Sequence, residues 1–217
     1  LDPARGMPYF PVDANLSDWV KQDYNLTMKA ATKPLADKIF LGIEGKYVTR
    51  TGAKQVDPRS TTNFYTLNIK PALTVKFNSH AAGINLLYER LNQESSTTNS
   101  NSQTNQDIFV MRGLGNGYTA VVGGLQSLGK FVDDGNKVGG GVQYSFKGAS
   151  VSGLLNAGYT FGVEDVTSTP SKPKKEGTIR EDGYTAGLQM LFTGKNLHRA
   201  ELSWNKRQAG GIEYVQV

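Results

Sequence analysis

The chain has 217 residues, of which 38% are hydrophobic and 20% charged, with 25 Gly, two His, no Cys and a net charge of +5. Without Cys there is no disulfide framework and no thiolate metal site, and two His are too few for a His-rich metal centre. The charge content is too low for disorder by self-repulsion, and the Lys and Arg are scattered along the chain, so no nucleic-acid partner is expected.

Period-2 alternation of apolar and polar residues dominates, and glycine is about 12% of the chain against roughly 7% in average proteins. Segment 24–32 carries Tyr24, Leu26, Met28 and Ala30 on one parity. Segment 38–50 sets Ile39, Leu41, Ile43 and Tyr47 against Glu44, Lys46 and Arg50. The clearest run is 63–77, with Tyr65, Leu67, Ile69, Pro71, Leu73, Val75 and Phe77 alternating with residues that include Lys70 and Lys76. Pro71 lacks a backbone donor, so a bulge or a missing ladder bond is expected there. Segment 80–91 opposes Ala82, Ile84, Leu86 and Tyr88 to Asn85 and Glu89. Segment 136–147 opposes Val138, Val142, Tyr144 and Phe146 to Gln143. Strands over 150–163, 183–193 and 196–206 complete the series, with Asn156, Gln189, Arg199 and Glu201 on their polar parities.

These strands are long for a soluble protein, and several are long enough to cross a bilayer with tilt. The connections alternate. Short ones lie at 33–37, 78–79, 148–149 and 194–195, and long polar ones at 51–62, 92–135 and 164–182. That alternation, with strands of this length, predicts an all-β fold: an antiparallel transmembrane β-barrel with about eight to ten strands in this chain. The soluble alternative is a ligand-binding barrel with the apolar face turned inward.

Aromatic residues sort by height on the apolar parity. Tyr47, Tyr65, Tyr88, Tyr159, Tyr184 and Trp204 fall toward the long-loop ends, and Phe77, Tyr144, Phe146 and Phe192 toward the short turns. Aliphatic residues fill the middle, so the ten are expected to form two lipid-facing belts. Glu44, Lys46, Arg50, Lys70, Lys76, Asn85, Glu89, Gln143, Asn156, Gln189, Arg199 and Glu201 are expected to face the lumen, interleaved with glycines.

Loop parity puts both chain ends on the long-loop, extracellular side, so residues 1–217 are expected to be one internal stretch of a larger barrel. Residues 92–135 form one large extracellular loop on this reading. Its first part, SSTTNSNSQTNQD, reads as a mobile low-complexity segment. Residues 108–132 are apolar enough to bury themselves, over the mouth, in the lumen, on a partner, or as two more wall strands.

Enzyme motifs are weak. Gly124, Gly129 and Lys130 imitate a phosphate loop, but Phe131 stands where Ser or Thr is needed. Gly113, Gly115 and Gly117 do not complete a dinucleotide fingerprint, because Tyr118 replaces the third glycine. An outer-membrane hydrolase using His80 or His198 with Ser79 or Ser203 is the enzymatic alternative, and it lacks a nucleophile elbow.

The segments DPARGMPYFP (2–11), MRGLGNGYTAVVGGLQSLGKF (111–131) and VGGGVQYSF (138–146) resemble an uncharacterised outer-membrane β-barrel family of Bacteroidota. The resemblance implies an association with TonB-dependent uptake systems and partners among outer-membrane uptake proteins. The expected function is therefore a non-enzymatic, cofactor-free transport, porin-like or accessory barrel in the bilayer of the cell outer membrane.

Overall fold

The computed structural model describes residues 9–101, 103–113, 116–123, 128–168, 172–194 and 196–214. These residues fold into eleven strands: β1 (Tyr9–Val12), β2 (Trp19–Ala31), β3 (Ile39–Lys54), β4 (Arg59–Phe77), β5 (His80–Thr98), β6 (Gln106–Arg112), β7 (Gly117–Val122), β8 (Leu128–Lys147), β9 (Val151–Ser168), β10 (Lys174–Thr193) and β11 (Leu197–Glu213). The eight longest form one antiparallel sheet in the order β11-β10-β9-β8-β5-β4-β3-β2. This is an up-and-down meander with a single interruption between β5 and β8. The excursion there contains β6 and β7, which leave the wall and pair with β1 in a second, three-stranded sheet. The large sheet is open, with β2 and β11 as its edges, so the closed barrel expected from the sequence is not formed by the described strands.

The strands overrun their expected ends on the long-loop side. β4 begins at Arg59, β5 continues to Thr98, β8 begins at Leu128 and β10 begins at Lys174. Of the expected loop 92–135, residues 92–98 and 128–135 therefore belong to the wall, and the polar run Ser95–Thr98 is strand rather than mobile loop. The physical reason is hydroxyl pairing across the ladder: Ser60 Oγ lies 3.0 Å from Thr97 Oγ1, and Thr61 Oγ1 lies 2.9 Å from Ser96 Oγ. A strand polar on both faces carries no alternation to read. Residues 106–122 supply β6 and β7, which do not become two further wall strands.

At Pro71 the β4–β5 ladder skips Lys70 and Pro71, then resumes at Ala72↔Asn85 with no change of register. The expected disturbance is a missing bond, not a bulge, while the β3 side stays paired through Ile43↔Pro71.

The short turns stagger along the sheet. The cross-strand row Leu41–Leu73–Ile84–Val142–Ala157–Ala186–Trp204 is apolar throughout. Measured along the strands, its distance from the short turn is two residues at Leu41 (β3 starts at Ile39) and seven at Trp204 (β11 starts at Leu197). At ~3.3 Å per residue and ~4.8 Å per strand, a drift of five residues over the six strand steps between hairpin centres is a tilt of about 30°.

Candidate functional site

Cross-strand register assigns every side chain of the large sheet to one of two faces. The ten aromatic-belt residues share one face, through pairings such as Tyr47↔Leu67, Ala82↔Tyr144 and Tyr159↔Tyr184. The twelve residues expected in the lumen share the other, through Glu44↔Lys70, Asn68↔Glu89, Gln143↔Asn156 and Gln189↔Glu201.

The apolar face is bare. Leu26, Leu86 and Leu202 are 68%, 62% and 69% exposed, and Ile84, Val142 and Leu155 are exposed as well. Once the stagger is counted, five of the six upper aromatics stand at nearly one height. Tyr47, Tyr88 and Tyr159 lie eight residues from the short-turn ends of their strands, Tyr184 nine and Trp204 seven. Tyr65 stands higher, twelve residues from Phe77. Phe77, Tyr144, Phe146 and Phe192 lie within three residues of the short-turn ends, so the two rows are about seven residues apart: about 23 Å along the strand and about 20 Å perpendicular to the line of short turns at that tilt. The tyrosine hydroxyls turn to polar groups: Tyr88 donates to Asn136 Oδ1 at 2.9 Å and Tyr159 to Asp182 Oδ1 at 2.6 Å. At the short-turn end, His80 stacks between Phe77 and Tyr144, and Tyr144 Oη lies 2.6 Å from His80 Nδ1. That contact pairs His80 with a tyrosine rather than with Ser79, and His198 lies on β11 opposite Phe192.

The polar face carries a lattice of alternating charge. Lys29 meets Glu44 at 2.8 Å, and Lys70 approaches the same carboxylate at 4.0 Å. A second row runs Asn68–Glu89–Lys137–Glu181–Arg207, with contacts of 3.1, 3.9, 3.5 and 2.5 Å. Lys137 crosses β9 to reach Glu181 over Gly162, where any side chain would press on the lysine stem. Most of these groups are part-exposed, so each pair is worth at most about 1 kcal/mol. Their effect is to keep a wetted surface nearly neutral.

Above this lattice the small sheet caps the polar face. Tyr9, Ile108, Val110 and Val122 from the cap pack with Leu128, Phe131 and Val166 from the wall, and Ala120 and Ile179 flank them. Beside this core, Gln93, Ser95, Thr97 and Asp133 on the wall are buried. Polar links tie the cap at its margins. Arg112 Nη2 meets Glu176 Oε2 at 2.6 Å, and Ser168 Oγ donates to Glu176 Oε1 at 2.5 Å. Lys54 Nζ meets Asp13 Oδ1 at 2.5 Å. In the connection between β3 and β4, hydrogen bonds from the hydroxyl and backbone N–H of Ser100 hold the Asp57 carboxyl below its usual range. Burial, followed by the Glu213 carboxylate, pushes the Tyr9 phenol up. Arg112, Lys54 and Asp57 do not stand out in the sequence as tethers, because each meets its partner across tens of residues.

Tyr9 rests on Gly177, and a Cβ there would collide with the phenol ring. Gly177→Ala is therefore expected to weaken cap docking by about 1–3 kcal/mol, the usual cost of overpacking. Hydrogen exchange at the β1 amides measures it. Gly210→Ala, where a Cβ would meet nothing within 4 Å, is the silent control.

The phosphate-loop imitation does not lead into a helix. Gly124 and Gly115 lie outside the described residues, as do Leu114, Leu125, Lys195 and residues 2–8 of the first family-like segment, while Lys130 sits on β8 and pairs with Glu94. No group of His, Cys, Asp and Glu able to hold a metal occurs among the described residues. No helix among them is long and apolar enough to cross a membrane.

The chain is thus an all-β protein built from an open antiparallel sheet with one bare apolar face and one polar, capped face. Over residues 1–217 it matches the model of a family of unknown function, DUF6850, and belongs to that family. No curated protein and no solved structure matches it.

Proposed function

We propose that the large sheet is a wall of an outer-membrane β-barrel, with its apolar face in lipid and its polar face lining a water-filled lumen. On this reading the protein is a transport, porin-like or accessory component of solute uptake, and the β1-β6-β7 cap guards the long-loop mouth. One observation carries the reading: an exposed apolar face bounded by two aromatic rows about 20 Å apart. Outer-membrane barrels present a lipid band of about 25 Å between aromatic girdles, on strands tilted by about 35–45°. A water-facing surface has no force that sorts aromatics by height. The stagger of the short turns, equivalent to about 30° of tilt, lies just below that range.

The two tryptophans provide the test. Trp204 is on the apolar face and 53% exposed, whereas Trp19 pairs with Lys54 on the polar face and packs against Gly52. In vesicles of acyl-chain-brominated phospholipid, Trp19→Phe, which keeps only Trp204, is expected to be strongly quenched. Trp204→Phe, which keeps only Trp19, is expected to stay bright. Quenching of neither, or of Trp19 alone, would remove the membrane reading.

A further inference from the structure

The polar face has a second feature, at the end opposite the cap. A cleft of about 680 Å³ opens there, lined on the polar face by Lys76, Lys147, Arg199, Gln189, Ser145 and Ser152. The size is within the usual range of ligand sites, about 300–1,000 Å³. Higher on the same face, Lys29, Arg50, Lys54, Lys70, Lys137 and Arg207 each meet a carboxylate within 4.0 Å. Lys76 and Lys147 have no ion pair among the described residues. Arg199 meets Glu201 at 2.8 Å, but these side chains are 63% and 50% exposed. Such a pair contributes little and exchanges readily for another anion.

The cations are spread. Lys76 on β4 and Lys147 on β8 are two strands apart, and Lys147 and Arg199 on β11 three. At ~4.8 Å per strand these separations are about 10 Å and about 14 Å along the sheet. A single compact anion cannot span them, whereas an elongated one with several negative groups can. Hydroxyl donors from Ser145 and Ser152 and the Gln189 amide lie between, and Leu154 adds an apolar patch to the lining. All three cations stand on the face opposite the aromatic belts, so the groups they would meet come from the aqueous side.

We propose that this cleft binds an elongated polyanionic solute at the short-turn end of the polar face. The unpaired lysines make the site: most cations of the polar face meet a carboxylate, and of those that do not among the described residues, Lys76 and Lys147 line the cleft whereas Lys21 and Lys46 stand apart from it. The proposal goes beyond the membrane reading and does not depend on it, because the cleft belongs to the sheet in detergent as well as in lipid.

Short-chain linear polyphosphate and inorganic monophosphate are the probes, titrated calorimetrically against the detergent-solubilised protein at low and high salt. Polyphosphate is expected to bind much more tightly than monophosphate, and to weaken as salt screens the cations beyond about 10 Å. K76Q/K147Q/R199Q is expected to lose about 100-fold in affinity, from about five-fold per cation at contact distance in water-like surroundings. Lys206→Gln removes a cation from the opposite face, opposite Tyr184, and is expected to bind as the wild type does. Equal affinity of the triple variant and the wild type, equal affinity for the two phosphates, an equal loss in Lys206→Gln, or no binding at all would each overturn the site. Binding that behaves as expected while Trp204 stays unquenched in brominated lipid would keep the cleft and discard the membrane wall.

Discussion

Leu73→Arg and Ile84→Arg are each expected to cost about 2–4 kcal/mol when stability is measured by unfolding from lipid vesicles. The two residues are direct cross-strand partners in the apolar row. Each lies four residues from the short-turn end of its strand, midway between the aromatic rows. A guanidinium there would sit at the depth where hydrocarbon solvates it worst. Ile69→Arg is a built-in depth gauge. Ile69 pairs with Tyr88 and so stands level with the upper row, where the cost is expected to fall to about 0–1 kcal/mol. Lys70→Leu is on the polar face and is expected to show no depth-dependent penalty. If the apolar face looks into water instead, Ile84 is merely a surface residue, 52% exposed, and its replacement should stay within about 0.5 kcal/mol. The soluble and membrane readings thus differ by severalfold at Ile84.

The wall was legible wherever one face was apolar and the other polar. Segment 63–77 ends at Phe77, as β4 does, and 80–91 begins at His80, as β5 does. The upper halves of the same strands were not legible. Above Tyr65 and Arg90 both faces are polar, and hydroxyl and amide pairing across the ladder replaces hydrophobic alternation as the ordering force. Faces could be assigned from parity alone, which is why the belt and polar residues fall on opposite sides of one sheet. The cap shows the limit. The apolar content of 108–132 signalled burial, but its third strand, Tyr9–Val12, pairs with Phe109–Arg112 a hundred residues away. No local pattern in four residues announces such a partner. The buried ion pairs of the cap are illegible for the same reason, and so is the cationic cleft, whose residues come from β4, β8 and β11.

Asp13→Ala is expected to release the cap without melting the wall. Asp13 and Lys54 meet at 2.5 Å with side chains only 10% and 3% exposed, so the pair sits between the chain leading into β2 and the upper end of β3. Asp13 also accepts the backbone N–H of Asn15 at 2.9 Å, which fixes the turn out of β1. Removing the carboxylate leaves a buried ammonium with no counter-charge, a change that costs about 3–5 kcal/mol in comparable sites. The wall has its own continuous ladder from β2 to β11, whereas the cap is held by a small core and these margins. The loss should therefore appear as local opening rather than global unfolding. Amides of β1 and β6 are expected to exchange faster by about two to four decades, each decade being about 1.4 kcal/mol, while those of β4 and β9 keep their protection. Asp13→Leu combined with Lys54→Met removes both charges, and is expected to recover most of the protection because no orphaned charge remains. If Asp13→Ala leaves β1 exchange unchanged, the ion pair does not hold the cap. If β4 and β9 lose protection together with β1, cap and wall open as one cooperative unit, and the cap cannot act as a separate guard of the mouth.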